Sequence, residues 1–176
     1  GAVTLAYGAT GDSIAKITTG SGTTTISGEQ AGDELLIDAS RLSASATLTQ
    51  SGAAAQVVSG LVGDISATGL SGELTVTTGN ALDDQIKIST GSGDGTITAN
   101  GVGDTVTVNA DAMGGSTTLS ISGSASYAVS NLAGTTDAST TSGAVTLAYG
   151  ATGDGIAAIT TGSGTTTISG NTAGDE

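Results

Sequence analysis

Apolar and polar residues alternate in short segments along the whole chain. Such alternation marks strands that bury one face, and the Gly, Asn, Asp and Ser residues between the segments favour turns. No stretch shows the 3.6-residue period of an amphipathic helix. The pattern predicts an all-β protein with about ten residues per strand and turn. In residues 72–142 the predicted strands centre on 74–76, 86–88, 96–98, 106–108, 119–121, 128–130 and 137–138.

The chain repeats itself at two distances. Residues 72–105 share 14 identities with residues 1–34, at an offset of 71 and without a gap. Residues 143–176 are a much closer copy of residues 1–34, at an offset of 142. We therefore expect repeat units at 1–71 and 72–142 and a partial unit at 143–176, as a window of a longer tandem array. The close copies differ only at Ser13/Gly155, Lys16/Ala158, Glu29/Asn171 and Gln30/Thr172.

The absence of large aromatic residues limits the kind of core that the chain can build. There is no Trp, Phe, Cys, His or Pro, and there are three Tyr. An ordinary globular core relies on aromatic side chains for much of its buried area, whereas a narrow coil can be filled with Val, Ile, Leu and Ala. We predict a parallel β-solenoid built from tandem 71-residue repeats. The alternative is a string of small β-sandwich domains, one per unit.

The number of strands per unit offers an explanation for the two repeat distances. Seven strands in a two-sided coil would place equivalent strands of neighbouring units on opposite faces. Two units would give fourteen strands, or seven coils of about twenty residues, and would restore the original face. This hypothesis explains why close identity returns after two units rather than after one.

Charge and residue types exclude several functions. The formal charge is −13, and Lys16, Arg41 and Lys87 are the only cations. We therefore expect no nucleic-acid binding and no attraction to anionic membranes. No apolar run approaches the roughly 20 residues that span a bilayer, so no membrane insertion is expected. Without His or Cys, and with adjacent carboxylates on opposite faces of a strand, we expect no enzymatic activity.

A short motif, Gly-Asp-x-aliphatic, recurs before predicted strands. One hypothesis is that these carboxylates bind Ca²⁺, which prefers oxygen ligands. The other is that glycine and aspartate simply form turns. The chain departs from the calcium-binding nonapeptide of exported β-rolls, because Asp94 and Asp104 each stand one position too early. The candidate calcium ligands are Asp12, Asp33, Asp83, Asp84, Asp104 and Asp154.

Segments such as GELTVTTG at 72–79 and GDTVTVNA at 103–110 resemble the Thr/Gly/Asp-rich tandem β-strand repeats of very large bacterial exported proteins. That group includes repeat adhesins, S-layer-like proteins and calcium-binding β-rolls. The resemblance implies an extracellular location at the bacterial surface and assembly with itself or with neighbouring repeats of the same long chain. We expect a structural segment of a filament, lattice or spacer. The alternative is an adhesin or binding module for calcium, sugar, a surface or ice, the last suggested by Thr-x-Thr triplets at 47–49, 75–77, 96–98 and 105–107.

Overall fold

The computed structural model describes residues 2–8, 11–79, 85–150 and 158–170, and every regular element among them is a strand. The strands are five to seven residues long except for one of two residues. They are β1 (Val3–Tyr7), β2 (Ile14–Thr18), β3 (Thr24–Gly28), β4 (Glu34–Asp38), β5 (Thr47–Gly52), β6 (Ala55–Leu61), β7 (Asp64–Leu70), β8 (Leu74–Thr78), β9 (Gln85–Ser89), β10 (Gly95–Ala99), β11 (Thr105–Asn109), β12 (Thr118–Gly123), β13 (Ser126–Leu132), β14 (Thr135–Thr141), β15 (Val145–Tyr149), β16 (Ile159–Thr160) and β17 (Thr166–Gly170).

Each strand pairs in parallel with the strand two further along the chain. The odd-numbered strands form a nine-stranded sheet and the even-numbered strands form an eight-stranded sheet, so two strands and their connections make one coil. The register pairs Val3 with Thr24, and the chain between these two positions is one complete coil. The predicted β-solenoid is confirmed. The sandwich alternative is wrong, because β6 pairs with β8 and β7 pairs with β9 across the boundary between residues 71 and 72.

Equivalent strands of successive units lie in different sheets. Strand β1 belongs to the nine-stranded sheet, its equivalent β8 to the eight-stranded sheet, and β15 to the nine-stranded sheet again. The predicted exchange of faces is therefore confirmed. A surface position returns to its original side only after two full units, which is also the spacing of the close sequence copies.

The core lies between the two sheets and consists of stacked side chains that are mostly aliphatic. In one column Ile86, Val106, Tyr127 and Val145 follow each other on successive strands, and none of them is more than 2% exposed. Burying a side chain of this size stabilises the fold by about 1.5–3 kcal/mol. Alternate residues point outward, so the period-two pattern in the sequence corresponds directly to inward and outward positions.

One pair of core positions shows how the repeat units tolerate substitution. In the first unit Gln50 Nε2 donates to Gln56 Oε1 at 2.8 Å, and Gln56 Nε2 donates to the Ser51 carbonyl. Ile121 and Tyr127 occupy these positions in the second unit, and the Tyr127 hydroxyl donates to the equivalent carbonyl at 2.6 Å. Burial raises the pKa of Tyr127 to about 12, so the hydroxyl keeps its proton at neutral pH. The polar pair and its replacement satisfy the same backbone group.

Glycines stand where the backbones of consecutive coils approach too closely for a side chain. A Cβ on Gly91 would lie 2.1 Å from the Leu70 carbonyl oxygen, and one on Gly162 would lie 2.1 Å from the Thr141 carbonyl oxygen. Real Cβ atoms essentially never approach a heavy atom this closely. Gly91 and Gly162 hold the same position in successive units. The space between coils thus explains why this glycine recurs.

We predict that Gly91→Ala destabilises the solenoid, because its Cβ would force neighbouring coils apart. Overpacking of this kind costs about 1–3 kcal/mol, and each kcal/mol lowers the Tm of a chain of this length by roughly 2–4 °C. Gly114→Ala is the matched control, since a Cβ there meets nothing within 4 Å. Thermal unfolding followed by far-UV circular dichroism checks both variants. Equal melting temperatures would contradict the close approach at Gly91.

Candidate functional site

The Gly-Asp motifs form tight turns at the corners of the coil. Gly11, Gly32 and Gly103 have φ values of 93°, 101° and 102°, a left-handed conformation that favours glycine. The aspartate after each glycine stands just before the next strand. The turn expected from the Gly-Asp pair is therefore present at all three of these corners, with the glycine in a left-handed conformation.

The coil brings Asp12 and Asp33 to the same corner on neighbouring coils. Asp33 is only 1% exposed, and its Oδ1 accepts a hydrogen bond from the Ser13 backbone N–H at 3.0 Å. The exposed Asp12 packs over Gly32, because a Cβ on Gly32 would lie 2.5 Å from Asp12 Oδ1. Two motifs that are one coil apart in the sequence thus form one acidic corner.

The second carboxylate oxygen of Asp33 has an unusual environment. Asp33 Oδ2 is buried and has no hydrogen-bond partner among the described residues. Asp104 holds the equivalent position one unit later and is also 1% exposed. Within the described ranges no group of three acidic side chains converges as a metal site would require. Of the other candidate ligands, Asp83, Asp84 and Asp154 lie outside the described residues.

Two further aspartates connect coils in a similar way. Asp64 Oδ1 accepts from the Lys87 N–H at 2.9 Å, and Asp94 Oδ1 accepts from the Thr118 N–H at 2.8 Å. Hydrogen bonds to an ionised carboxylate are roughly twice as strong as neutral ones. Sequence reasoning missed this role, although both aspartates follow a glycine, as Asp33 does. The shared signal is a Gly-Asp pair at a corner of the coil.

Asp38 and Asp137 act locally instead. Asp38 Oδ1 accepts from the Ser40 N–H, and Asp137 Oδ1 accepts from the Ser139 N–H. Hydrogen bonds from the serine side chain and then from its backbone hold the pKa of each carboxyl below its ordinary value. Both carboxylates are therefore ionised at neutral pH. Both side chains are also exposed, so they contribute to the negative charge of the outer surface.

The outer face of the eight-stranded sheet carries two rows of hydroxyl groups. Thr75 and Thr77 on β8 are followed by Thr96 and Thr98 on β10, and by serines at 120 and 122 on β12. Within one row the hydroxyls of Thr98 and residue 122 are hydrogen-bonded at 2.9 Å. The Thr-x-Thr triplets at 47–49 and 105–107 lie in the other sheet, with β7 and β9 between them. The four triplets therefore do not form one surface.

No protein family, curated protein or solved structure matches this chain. Among the described residues there is no helix long and apolar enough to cross a membrane.

Proposed function

We propose that the chain is a structural repeat segment of an extracellular bacterial surface protein, where it acts as a filament, lattice or spacer scaffold. The observation that carries this proposal is the continuity of both sheets through the unit boundaries. Strand pairs β6–β8 and β7–β9 cross the first boundary, and β13–β15 crosses the second. Added units therefore lengthen one rod instead of adding separate domains.

The side chains support a scaffold that has no catalytic role. The chain lacks His and Cys, and the carboxylates of Asp33, Asp64 and Asp94 are engaged in hydrogen bonds to the backbone of neighbouring coils. The described surface includes a groove of about 360 Å³ beside Leu36 and Val57, and its ionisable lining residues are Lys16 and Asp38. Asp38 Oδ1 already accepts a hydrogen bond from the Ser40 N–H, so this carboxylate acts as a local turn former. A formal charge of −13 keeps such a rod soluble and discourages non-specific contacts.

We predict that duplicating residues 1–142 lengthens the rod by a fixed amount. Strands β1 and β15 are seven steps apart in their sheet, and strands are about 4.8 Å apart, so the maximum dimension should grow by about 34 Å. Small-angle X-ray scattering checks the length and the cross-section, which should stay constant. A larger cross-section, or the broad distance distribution of flexibly linked bodies, would contradict the scaffold.

We also predict that antibodies against this segment label intact cells of the bacterium that produces it. Labelling should not require permeabilisation, because a surface scaffold exposes its two outer faces. Immunogold electron microscopy checks the location, with an antibody against a cytosolic protein as the control. Gold that is found only after permeabilisation would contradict the surface location.

The second candidate function is calcium binding at the corner formed by Asp12 and Asp33. The observation in its favour is the buried Asp33 Oδ2, which has no hydrogen-bond partner among the described residues. Burying a carboxylate oxygen without a hydrogen-bond partner lowers the stability of the fold. A cation that prefers oxygen ligands, such as Ca²⁺, would offset this loss by binding to the oxygen. The competing role is that of a turn former, in which Asp33 only accepts the hydrogen bond from Ser13.

Thermal unfolding in millimolar Ca²⁺ and in EDTA separates the two roles. If calcium binds, Ca²⁺ should raise the Tm, and a concentration of 100 times Kd would stabilise the fold by about 2.7 kcal/mol. Asp33→Asn is the matched variant, since it keeps an oxygen that can accept from Ser13 but loses the charge. We expect its Tm to be the same in both buffers. If the unsubstituted chain has the same Tm in Ca²⁺ and in EDTA, calcium binding at this corner is excluded and Asp33 acts only as a turn former.

A further inference from the structure

Asn100 and Gly101 directly follow β10, and they are the only Asn-Gly pair in the chain. Asn100 is exposed, so water reaches its side chain. The side-chain amide carbon of an asparagine can be attacked by the backbone nitrogen of the next residue. A following glycine favours this attack, because it has no Cβ to hinder the approach of its nitrogen. The pair therefore combines an amide that can react with a nucleophile beside it.

The packing of the corner explains why a glycine stands at position 101. A Cβ on Gly101 would overlap with Asp104 Oδ2, because this carboxylate packs directly over the glycine. Asp104 is only 1% exposed. Any residue with a Cβ at position 101 would therefore have to displace a buried carboxylate. In this unit the fold thus keeps a glycine after Asn100.

The backbone N–H of Gly101 can react without first losing a hydrogen bond to the backbone. Within the described ranges no backbone carbonyl accepts a hydrogen bond from it. Asn109 provides the contrast, since it is followed by Ala110, whose N–H donates to the Ser130 carbonyl at 2.9 Å. Ring closure at Asn109 would have to break this bond, whereas ring closure at Asn100 breaks no such bond.

Ser124 on the next coil favours the reaction electrostatically. Its Oγ donates a hydrogen bond to the Asn100 carbonyl at 2.6 Å. This carbonyl belongs to the same peptide group as the Gly101 nitrogen, so it takes up negative charge when that nitrogen loses its proton. A donor that points at developing charge stabilises it. The Ser124 hydroxyl therefore makes the Gly101 nitrogen easier to deprotonate.

We propose that Asn100 is a site of self-catalysed deamidation. The Gly101 nitrogen loses its proton to solvent and forms a bond to Asn100 Cγ, and the Cγ–Nδ2 bond breaks as ammonia leaves. Water then opens the resulting five-membered succinimide at either carbonyl, which gives aspartate or isoaspartate at position 100. The net reaction consumes one water molecule and releases one ammonia molecule. It adds one negative charge to the chain at neutral pH.

The product is compatible with the corner, because the first unit already has a carboxylate at the equivalent position. Glu29 corresponds to Asn100 and is exposed, and its Oε1 accepts a hydrogen bond from Ser27 Oγ. Asn100 also lies outside the strands, so the extra backbone methylene of an isoaspartate would alter a turn and not a ladder. Deamidation would thus give the second unit the charge of the first at this corner and leave the sheets intact.

The other asparagines among the described residues are less suited to the reaction. Asn109 Oδ1 accepts hydrogen bonds from the Asp111 N–H and from Asn131 Nδ2, which hold both amides in place. The residues that follow them, Ala110 and Leu132, carry side chains that hinder ring closure. We therefore expect Asn100 to react while Asn109 and Asn131 remain amides.

Ageing of the folded 176-residue chain in mildly alkaline buffer tests the proposal. Anion-exchange chromatography should resolve a new species with one additional negative charge, and tandem mass spectrometry should locate the amide-to-acid change at Asn100. The rate should rise with pH, because the reacting nitrogen must lose a proton. Asn100→Gln is the matched control, since its longer side chain would have to close a less favoured six-membered ring. This variant should form no new species over the same period.

Ser124→Ala measures the contribution of the fold. Alanine already stands at the equivalent position, Ala53, so the variant should fold. We expect deamidation at Asn100 to be roughly two- to tenfold slower in the folded variant, which is the range that one hydrogen bond provides. In denaturant both chains should react equally fast, because the hydrogen bond is lost. Equal rates in the folded chains would overturn the role of Ser124. A folded chain that keeps the Asn100 amide while the denatured chain loses it would overturn the whole proposal.

Discussion

Hydrogen bonds between each strand and the strand one coil later run along the axis of the solenoid and fix the coil-to-coil distance at about 4.8 Å. Every other part of the chain must fit within that spacing. At some corner positions this leaves no room for a Cβ, which is why Gly91 and Gly162 hold the same position in successive units. In the interior the same spacing places the side chains of register partners directly on each other. The size of each core side chain must therefore fit the side chains of the two adjacent coils.

The corners and the interior meet this constraint in different ways. In the interior, contacting residues differ together between units. Gln50 and Gln56 of the first unit correspond to Ile121 and Tyr127 of the second. The corners instead use carboxylates that reach across to a neighbouring coil, as Asp33, Asp64 and Asp94 do. Packing therefore varies between units, while the cross-coil hydrogen bonds to corner aspartates tie the coils together.

Much of the fold was predictable because strands bury one face and the repeat is long. Alternation located the strands, and an odd strand count explained why the close copy returns only after two units. The longer strands were not predictable, because an irregularity in β6 and β13 interrupts the alternation. It lies beside Gly60 and its equivalent Asn131, both left-handed, and asparagine is among the few residues that tolerate this conformation.

The acidic corner was predictable only in part. The motif pointed to Asp12 and Asp33 separately, but their proximity depends on the length of one coil, which a single motif does not encode. The burial of Asp33 depends on the strands around it. Asp64 and Asp94 were missed as links between coils because their partners, Lys87 and Thr118, are more than a full coil away in the sequence.

The alternation of sheets between units gives the rod an approximate twofold screw axis along its length. A group on the outer face of one unit has its equivalent on the opposite side one unit later, about 17 Å further along the axis. A single rod therefore presents equivalent positions on both of its flanks, staggered by half of the two-unit period, and the same chemistry wherever two units keep the same residue, as at Lys16 and Lys87. Rods that touch side by side can repeat one contact in both directions, and a planar array then requires only one kind of lateral interface.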